Sequence, residues 1–132
     1  MASTDPIADL LTCIRNANMK FHEKLDVPAS KVKEAVLNIM KQEGYITNFK
    51  RIDDGKHGIL RIYMKYTGTK NRVIRGLRRV SRPGLRKYVT QDKLPKVRRG
   101  IGIALISTSR GIMTCKQAGE QRIGGEVFCY IW

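Results

Sequence analysis

Residues 102–111 read Gly-Ile-Ala-Leu-Ile-Ser-Thr-Ser-Arg-Gly, an unbroken apolar run followed by three hydroxyls, a cation and a glycine. The apolar part predicts a buried strand. The polar part predicts a loop in which Ser107, Thr108 and Ser109, beside Arg110, can exchange hydrogen bonds with bases, ribose or phosphate. Many Ser-Thr-Ser runs are plain turns, so the residues alone leave a binding role and a structural role equally open.

The rest of the second half also favours β-structure. The segment Ser81-Arg82-Pro83-Gly84 predicts a turn, and Thr114 can cap a short helix over residues 115–121. Further strands are predicted over residues 73–80, 85–89 and 126–132. The second half is therefore expected to be mostly β with one short helix.

The first half alternates helices with strands. Asp5-Pro6 predicts a helix start, and apolar residues at helical spacing continue to about Lys20. A second apolar stripe ends at Gly44, a typical residue for ending a helix. Strands are predicted over residues 25–27, 45–52 and 60–66. The expected order of elements is α-β-α-β-β.

A polar, glycine-containing stretch at residues 67–72 has no apolar period and predicts a short linker. The chain is therefore expected to form two small domains. Residues 1–66 would make an N-terminal α-β-α-β-β domain, and residues 73–132 a C-terminal, mostly β domain with one short helix. The predicted fold class is α+β.

Positive charge is concentrated in the second half. The chain has 26 Lys and Arg against 11 Asp and Glu, a formal net charge of +15. Residues 1–66 carry a net charge of +3, whereas residues 67–132 have 15 basic and 3 acidic side chains, a net charge of +12. Most basic runs are solvated faces, but this asymmetry favours a polyanionic partner, and nucleic acid is the predicted class.

Two further groups of residues are candidate contacts. Tyr88 follows Arg86 and Lys87, so its ring can stack on an exposed base while the cations hold phosphates. A core tyrosine is the alternative. The run Gly124-Gly125-Glu126 can bring backbone close to a ligand, with the carboxylate accepting from a base amino group or tethering an arginine. A β-turn followed by a charge-paired surface glutamate is the alternative there.

Several function classes are disfavoured. The chain has no apolar stretch of ~18 residues and no signal-peptide pattern, so a cytoplasmic protein without membrane contact is expected. Three distant cysteines and two isolated histidines, His22 and His57, show no metal-ligand spacing, so neither a metal nor a cofactor is predicted. A phosphoester hydrolase with a serine nucleophile would need a neighbouring base and a motif that the sequence lacks, so the protein is not expected to be an enzyme.

Seven blocks of sequence occur in a fixed order along the whole chain. They are Thr-Asp-Pro-Ile-Ala-Asp (4–9), Ile-Arg-Asn-Ala (14–17), Ser-Arg-Pro-Gly-Leu-Arg-Lys-Tyr (81–88), Leu-Pro-Lys-Val (94–97), Gly-Ile-Gly-Ile-Ala (100–104), Ser-Thr-Ser-Arg-Gly-Ile-Met-Thr (107–114) and Gly-Gly-Glu-Val (124–127). Together they resemble the bacterial form of the small-subunit ribosomal protein eight family. Ordered blocks are far more specific than any one of them.

The resemblance implies a two-domain α+β structural protein of the small ribosomal subunit. Such proteins bind the central domain of 16S ribosomal RNA early in assembly of the 30S platform, beside other small-subunit ribosomal proteins. The C-terminal domain is expected to supply most of the recognition, with phosphate contacts from the N-terminal domain. The residues expected to contact RNA are Ser107, Thr108, Ser109, Arg110, Tyr88, Arg86, Gly124, Gly125, Glu126, Thr4, Lys31 and Lys56.

Two questions stay open at this point. In many bacteria the family also represses its own operon by binding a messenger site, so that messenger is a further candidate partner, but the sequence does not say whether this chain does so. A non-ribosomal, basic RNA-binding regulator of translation would have the same composition. Only the ordered blocks favour the ribosomal interpretation over this alternative.

The chain departs from the family pattern in two places. Arg98-Arg99 stands where the family commonly has an apolar and a small residue, which adds charge beside the glycine-rich strand. Cys115 stands where an acid is usual, and Gly119 where a basic residue is usual. The helix over residues 115–121 is therefore expected to be weakened, by about 1 kcal/mol for glycine relative to alanine.

Overall fold

The computed structural model describes residues 5–68, 71–97 and 101–132. The chain separates into two compact units, Pro6–Arg75 and Gly76–Trp132, and the second also includes Asp5. Helices and antiparallel strands occur in both units. The α+β class in two parts, predicted from the sequence, is confirmed.

Two helices and three main strands build the first unit. Its elements are α1 (Pro6–Met19), β1 (Lys24–Pro28), α2 (Lys31–Gln42), β2 (Ile46–Ile52) and β3 (Ile59–Met64). The strands form an antiparallel sheet in the order β1-β3-β2. Helix α1 packs against β1 and helix α2 against β2, so the apolar stripes of both helices are buried with the inner face of the sheet. The predicted order α-β-α-β-β is confirmed for these elements.

The segment predicted as a linker contains two short strands. Strand β4 (Tyr66–Thr67) pairs with β5 (Asn71–Arg72) in an antiparallel two-stranded ladder. Both strands belong to the unit Pro6–Arg75. The domain limits 1–66 and 73–132 stay a prediction.

Five strands and one helix build the second unit. Its elements are β6 (Leu77–Arg79), β7 (Tyr88–Val89), β8 (Ile103–Thr108), β9 (Gly111–Thr114), α3 (Cys115–Gln121) and β10 (Gly125–Ile131), with a 3₁₀ turn at Gln91–Lys93. The sheet runs in the order β6-β10-β8-β9, and β7 pairs with another part of β10. A small core lies between helix and sheet, formed by Val97, Ala104, Ile106, Met113, Cys115, Ala118 and Val127.

Two strand predictions for this unit need correction, and one strand was not predicted. The strands predicted over 73–80 and 85–89 are much shorter, because Arg82 and Leu85 exchange both backbone hydrogen bonds and so form a tight turn before β7. The sequence pattern does not predict β9, whose residues pair with β8 from Leu105 to Thr108. Apolar pattern alone does not show which short segments find a ladder partner.

Helix α3 forms despite its unusual residues. The Thr114 side chain accepts a hydrogen bond from the Gln117 N–H, and the Gln117 side chain accepts one from the Thr114 N–H, a complete capping box. A Cβ on Gly119 would lie 3.5 Å from Leu94 Cδ1, within ordinary contact distance. Capping and the burial of Ala118 therefore offset the weak propensity of the sequence.

Candidate nucleic-acid interface

The three hydroxyl residues lie at the end of a hairpin between β8 and β9. Ser107 and Thr108 are the last residues of β8, Ser109 and Arg110 form the turn, and Gly111 begins β9 with a φ of +107°. Ser109 and Arg110 are exposed, whereas Ser107 and Thr108 are half-buried. Ser107, Thr108 and Ser109 are therefore all accessible to solvent, at least in part.

The hairpin uses these hydroxyls in different ways. Thr108 Oγ1 accepts from the Arg110 N–H at 3.1 Å and donates to the Gly111 carbonyl at 2.8 Å, so it stabilises the turn. Among residues 5–68, 71–97 and 101–132, no group hydrogen-bonds the side chain of Ser107 or Ser109. These two hydroxyls are the ones available to a ligand, and Thr108 shapes the loop that carries them.

Strand register places three of the predicted contact residues in one row. Glu126 of β10 is directly opposite Ser107 of β8 on one side and Tyr88 of β7 on the other. Directly opposed residues of antiparallel strands project on the same face, with Cβ atoms about 4.5–5.5 Å apart. Tyr88 is 70% exposed, so the core alternative considered for this tyrosine is wrong.

The Glu126 carboxylate is held in this row by two side chains. Its Oε2 accepts from Ser81 Oγ at 2.5 Å and from Arg86 Nη1 at 3.1 Å. The Ser81 side chain is completely buried, and its Oγ also accepts from the Lys87 N–H at 3.0 Å. The predicted tethering of an arginine by Glu126 is seen here, and the alternative of a charge-paired glutamate describes the same contact.

Ser81 is the residue that the sequence analysis missed. It lies in the predicted turn Ser-Arg-Pro-Gly, where a serine usually bonds only to nearby backbone. Its contact with Glu126 crosses 45 residues of sequence. No local pattern could have indicated that contact.

Both glycines of Gly124-Gly125 lie where backbone segments approach closely. A Cβ on Gly125 would be 2.1 Å from the Ser107 carbonyl oxygen, and one on Gly124 would be 2.3 Å from the Val89 carbonyl oxygen. These are distances that real side chains do not adopt. Packing alone therefore requires glycine at these two positions, because only glycine lets β10 lie between β7 and β8. This requirement does not depend on a ligand.

The other predicted contact residues lie in the first unit or outside the description. Lys31 is exposed at the start of α2, and Lys56 is exposed in the turn between β2 and β3, where its N–H donates to Asp54 Oδ1. Thr4 is outside the described residues, as are Arg98 and Arg99. Neither lysine belongs to the hairpin unit.

The second unit, to which the row belongs, carries many exposed cations. Arg110 is exposed and donates to Gln121 Oε1 at 3.4 Å, and Arg86 is about half exposed. The other exposed cations of this unit are Arg78, Arg82, Lys87, Lys93, Lys96, Lys116 and Arg122. Residues 76–132 contain only three acids, one of which is Glu126 with its arginine partner. The field around this unit is therefore positive and suits phosphate groups.

The described residues show little that would suit catalysis. Within that part of the chain, no three His, Cys, Asp or Glu side chains lie close enough to hold a metal ion. Burial raises the pKa of the Cys115 thiol to about 11 and that of Cys129 to about 12, so neither is a thiolate near neutral pH. None of the helices, as far as they are described, is long and apolar enough to span a membrane.

These observations define a basic α+β protein with a polar hairpin and an exposed tyrosine on its more basic unit. Comparison with known proteins identifies the family. The family described as ribosomal protein S8 matches residues 5–132, and the chain belongs to it. The resemblance found in the sequence is confirmed, and members of this family are structural ribosomal proteins.

Curated relatives match the chain over nearly its whole length. Proteins called small ribosomal subunit protein uS8 are 56% identical over 132 residues in Desulforamulus reducens, covering all of both chains, and 58% identical over 129 residues in Moorella thermoacetica, covering 98% of this chain and 99% of the relative. The Kosmotoga olearia protein of the same name is 57% identical over 98% of each chain.

Proposed function

We propose that this chain is a structural protein of the small ribosomal subunit that binds the central domain of 16S ribosomal RNA directly and early in assembly of the 30S platform. The observation that carries the proposal is the row of Ser107, Glu126 and Tyr88, with the exposed Ser109 hydroxyl next to it. Membership of the ribosomal protein S8 family and the net charge of +15 support it.

Each part of the row suits a different feature of folded RNA. The hydroxyls of Ser107 and Ser109, which have no partner among the described residues, can donate to and accept from base edges and ribose hydroxyls in an irregular segment of an RNA helix. The Tyr88 ring offers a stacking surface to an unpaired base, worth about 1–3 kcal/mol. Glu126 positions Arg86 for a phosphate and keeps one carboxylate oxygen for a base amino group.

We assign different roles in RNA binding to the two domains. The C-terminal domain, residues 73–132, is the recognition module, and Gly124 and Gly125 let its strands pack closely enough to form the row. Lys31 and Lys56, together with Thr4, add phosphate contacts from the N-terminal domain. The protein acts on cytoplasmic ribosomes beside neighbouring small-subunit proteins, without catalysis, and its own operon messenger is a second RNA that this surface would bind.

Ser109→Ala tests the proposal most directly. Removing one exposed hydroxyl that has no partner in the described chain should change the free energy of unfolding by less than about 0.5 kcal/mol. Affinity for a 16S central-domain fragment should fall about 5- to 30-fold, the equivalent of about 1–2 kcal/mol for a hydrogen bond in the complex. Filter binding measures the affinity of the wild-type protein and of the variant for the cognate fragment and for an unrelated RNA duplex.

Two outcomes would contradict the proposal. Equal losses on the cognate fragment and on the duplex would make the hydroxyl a nonspecific contact. Wild-type protein that leaves no footprint on the central domain of intact 16S RNA in chemical probing would remove the proposed RNA partner. A fragment of the operon messenger, used as competitor in the same assay, tests whether one surface binds both RNAs.

A further inference from the structure

A cationic concavity lies in the first unit, and none of the residues assigned above is among the described residues that line it. It is open to solvent, with a volume of about 530 Å³, a size typical of ligand sites. The described residues that line it are Thr67, Asn71, Arg72, Ile74 and Arg75. No acidic residue is among them. We call it the Arg72–Arg75 pocket.

The Arg72 guanidinium is held rigidly at this pocket. Its Nε donates to the Asn18 carbonyl and its Nη2 to the Met19 carbonyl, both at 2.8 Å, at the C-terminal end of α1. The guanidinium carbon also lies 4.1 Å from the centroid of the Phe21 ring. Nη1 has no hydrogen-bond partner among the described residues. The side chain is therefore pre-organised, and a ligand that binds Nη1 does not have to order it.

Three other lining residues carry side-chain donors that have no partner among the described residues, and the backbone between the two arginines is held in place. Arg75, Asn71 and Thr67 are exposed. Arg75 makes no ion pair or hydrogen bond through its side chain to any residue that the structure describes. The Ile74 carbonyl accepts from Asn18 Nδ2 at 2.9 Å, and both of these residues are buried, so the backbone between the two arginines is anchored.

We propose that the Arg72–Arg75 pocket is an anion site that takes a backbone phosphate of RNA. The two guanidinium groups are opposite in charge to a phosphodiester, and their forked N–H donors suit its oxygens. That of Arg72 is fixed by its hydrogen bonds and that of Arg75 is exposed. The Asn71 amide and the Thr67 hydroxyl can donate to the remaining oxygens. Residues 6–75 contain 14 basic and 7 acidic side chains, so this unit also attracts a polyanion. The inference rests on the proposed function, to which it adds a further RNA contact on the unit that carries Lys31 and Lys56.

Arg75→Gln tests the site, with Lys41→Gln as its control. Both changes remove one exposed cation from the first unit, and Lys41 lies in the last turn of α2, outside the pocket. Affinity of the full-length chain for the 16S central-domain fragment is measured from about 50 to 400 mM KCl. Loss of one phosphate contact should reduce the slope of log K against log salt by about 0.7–0.9 and weaken binding about fivefold near 0.1 M salt.

Two further variants sharpen the result. Arg75→Lys keeps the charge and should restore most of the slope. Arg72→Gln should lower the slope similarly but also destabilise the unit, because the end of α1 loses two hydrogen bonds; thermal unfolding of both variants separates these effects.

The possible failures are distinct. If Arg75→Gln behaves like Lys41→Gln while Ser109→Ala still weakens the cognate complex, the pocket does not bind RNA and the proposed function stands; an acidic segment of a protein would then be the better candidate. If wild-type protein does not bind the fragment at all, both the function and the pocket are refuted.

Discussion

Replacing Gly125 with alanine should damage the interface from within. The added Cβ would lie 2.1 Å from the Ser107 carbonyl oxygen, 2.9 Å from the Ser107 carbonyl carbon and 3.2 Å from Thr108 Cα. Carbon atoms in good contact lie about 3.5–4.0 Å apart. All three obstacles are backbone atoms, so rotation of a side chain cannot relieve the clash, and β8 must move away from β10.

The size of the effect follows from these distances. Overpacking of a well-packed site costs about 1–3 kcal/mol, and a cross-strand hydrogen bond lost as the strands separate adds about 1 kcal/mol. We therefore expect Gly125→Ala to lower the free energy of unfolding by about 2–4 kcal/mol. Trp132, the single tryptophan, lies in the same unit, so its fluorescence in urea reports on this unit. The midpoint should fall by about 1–2 M urea.

Gly84→Ala is the matched control. A Cβ at Gly84 meets no atom within 4 Å, and its φ is outside the left-handed region, so the change in stability should stay within about 0.5 kcal/mol. The affinity of Gly125→Ala for RNA should also fall in the absence of urea, where the variant is folded, because the strand that carries Ser107 is displaced. Equal unfolding midpoints for the two variants would refute the packing explanation.

Three other predictions can be tested independently. Tyr88→Ala should weaken binding to the 16S fragment by about 1–3 kcal/mol while leaving the urea midpoint nearly unchanged, and Tyr88→Phe should cost less; the reverse order would show that the phenol matters and the ring does not. Cys13, which is exposed, should react with a thiol reagent in the native protein, whereas Cys115 and Cys129 should react only on unfolding, and three equally fast thiols would contradict their burial. Hydrogen bonds from the N–H groups of residues 56 and 58 hold the pKa of Asp54 below its ordinary value of 3.8. Its contribution to stability should therefore be present above that pH and be lost as pH falls through the folded pKa, and an NMR titration midpoint above 3.8 would refute this.

Some features of the interface were accessible from the sequence and some were not. The sequence indicates Ser107, Thr108, Ser109, Tyr88 and Glu126 as candidate contacts. The structure brings Ser107, Glu126 and Tyr88 into one row. Their separate roles were not predictable. Thr108 and Ser109 are chemically similar neighbours, yet one hydroxyl closes the turn while the other is left without a partner in the described chain.

The first unit shows a similar contrast. The stretch over 67–72 has the composition of a linker, and only the structure shows that Arg72 caps the end of α1 through two backbone carbonyls. A polar, glycine-containing segment has no apolar period that could indicate such a contact. The sequence does not predict the Arg72–Arg75 pocket for the same reason.

The sequence by itself determined the α+β class, the order of the main elements of the first unit, the positive charge and the family. Helical and strand periods, charge and ordered motifs can all be read along the chain without knowing which distant segments pair. Tertiary structure alone decided that Ser81 holds Glu126, and that Gly125 must be glycine. Those facts depend on strand register, which brings together residues 18 to 45 positions apart. Register is set by the packing of the whole sheet, so no local pattern contains it.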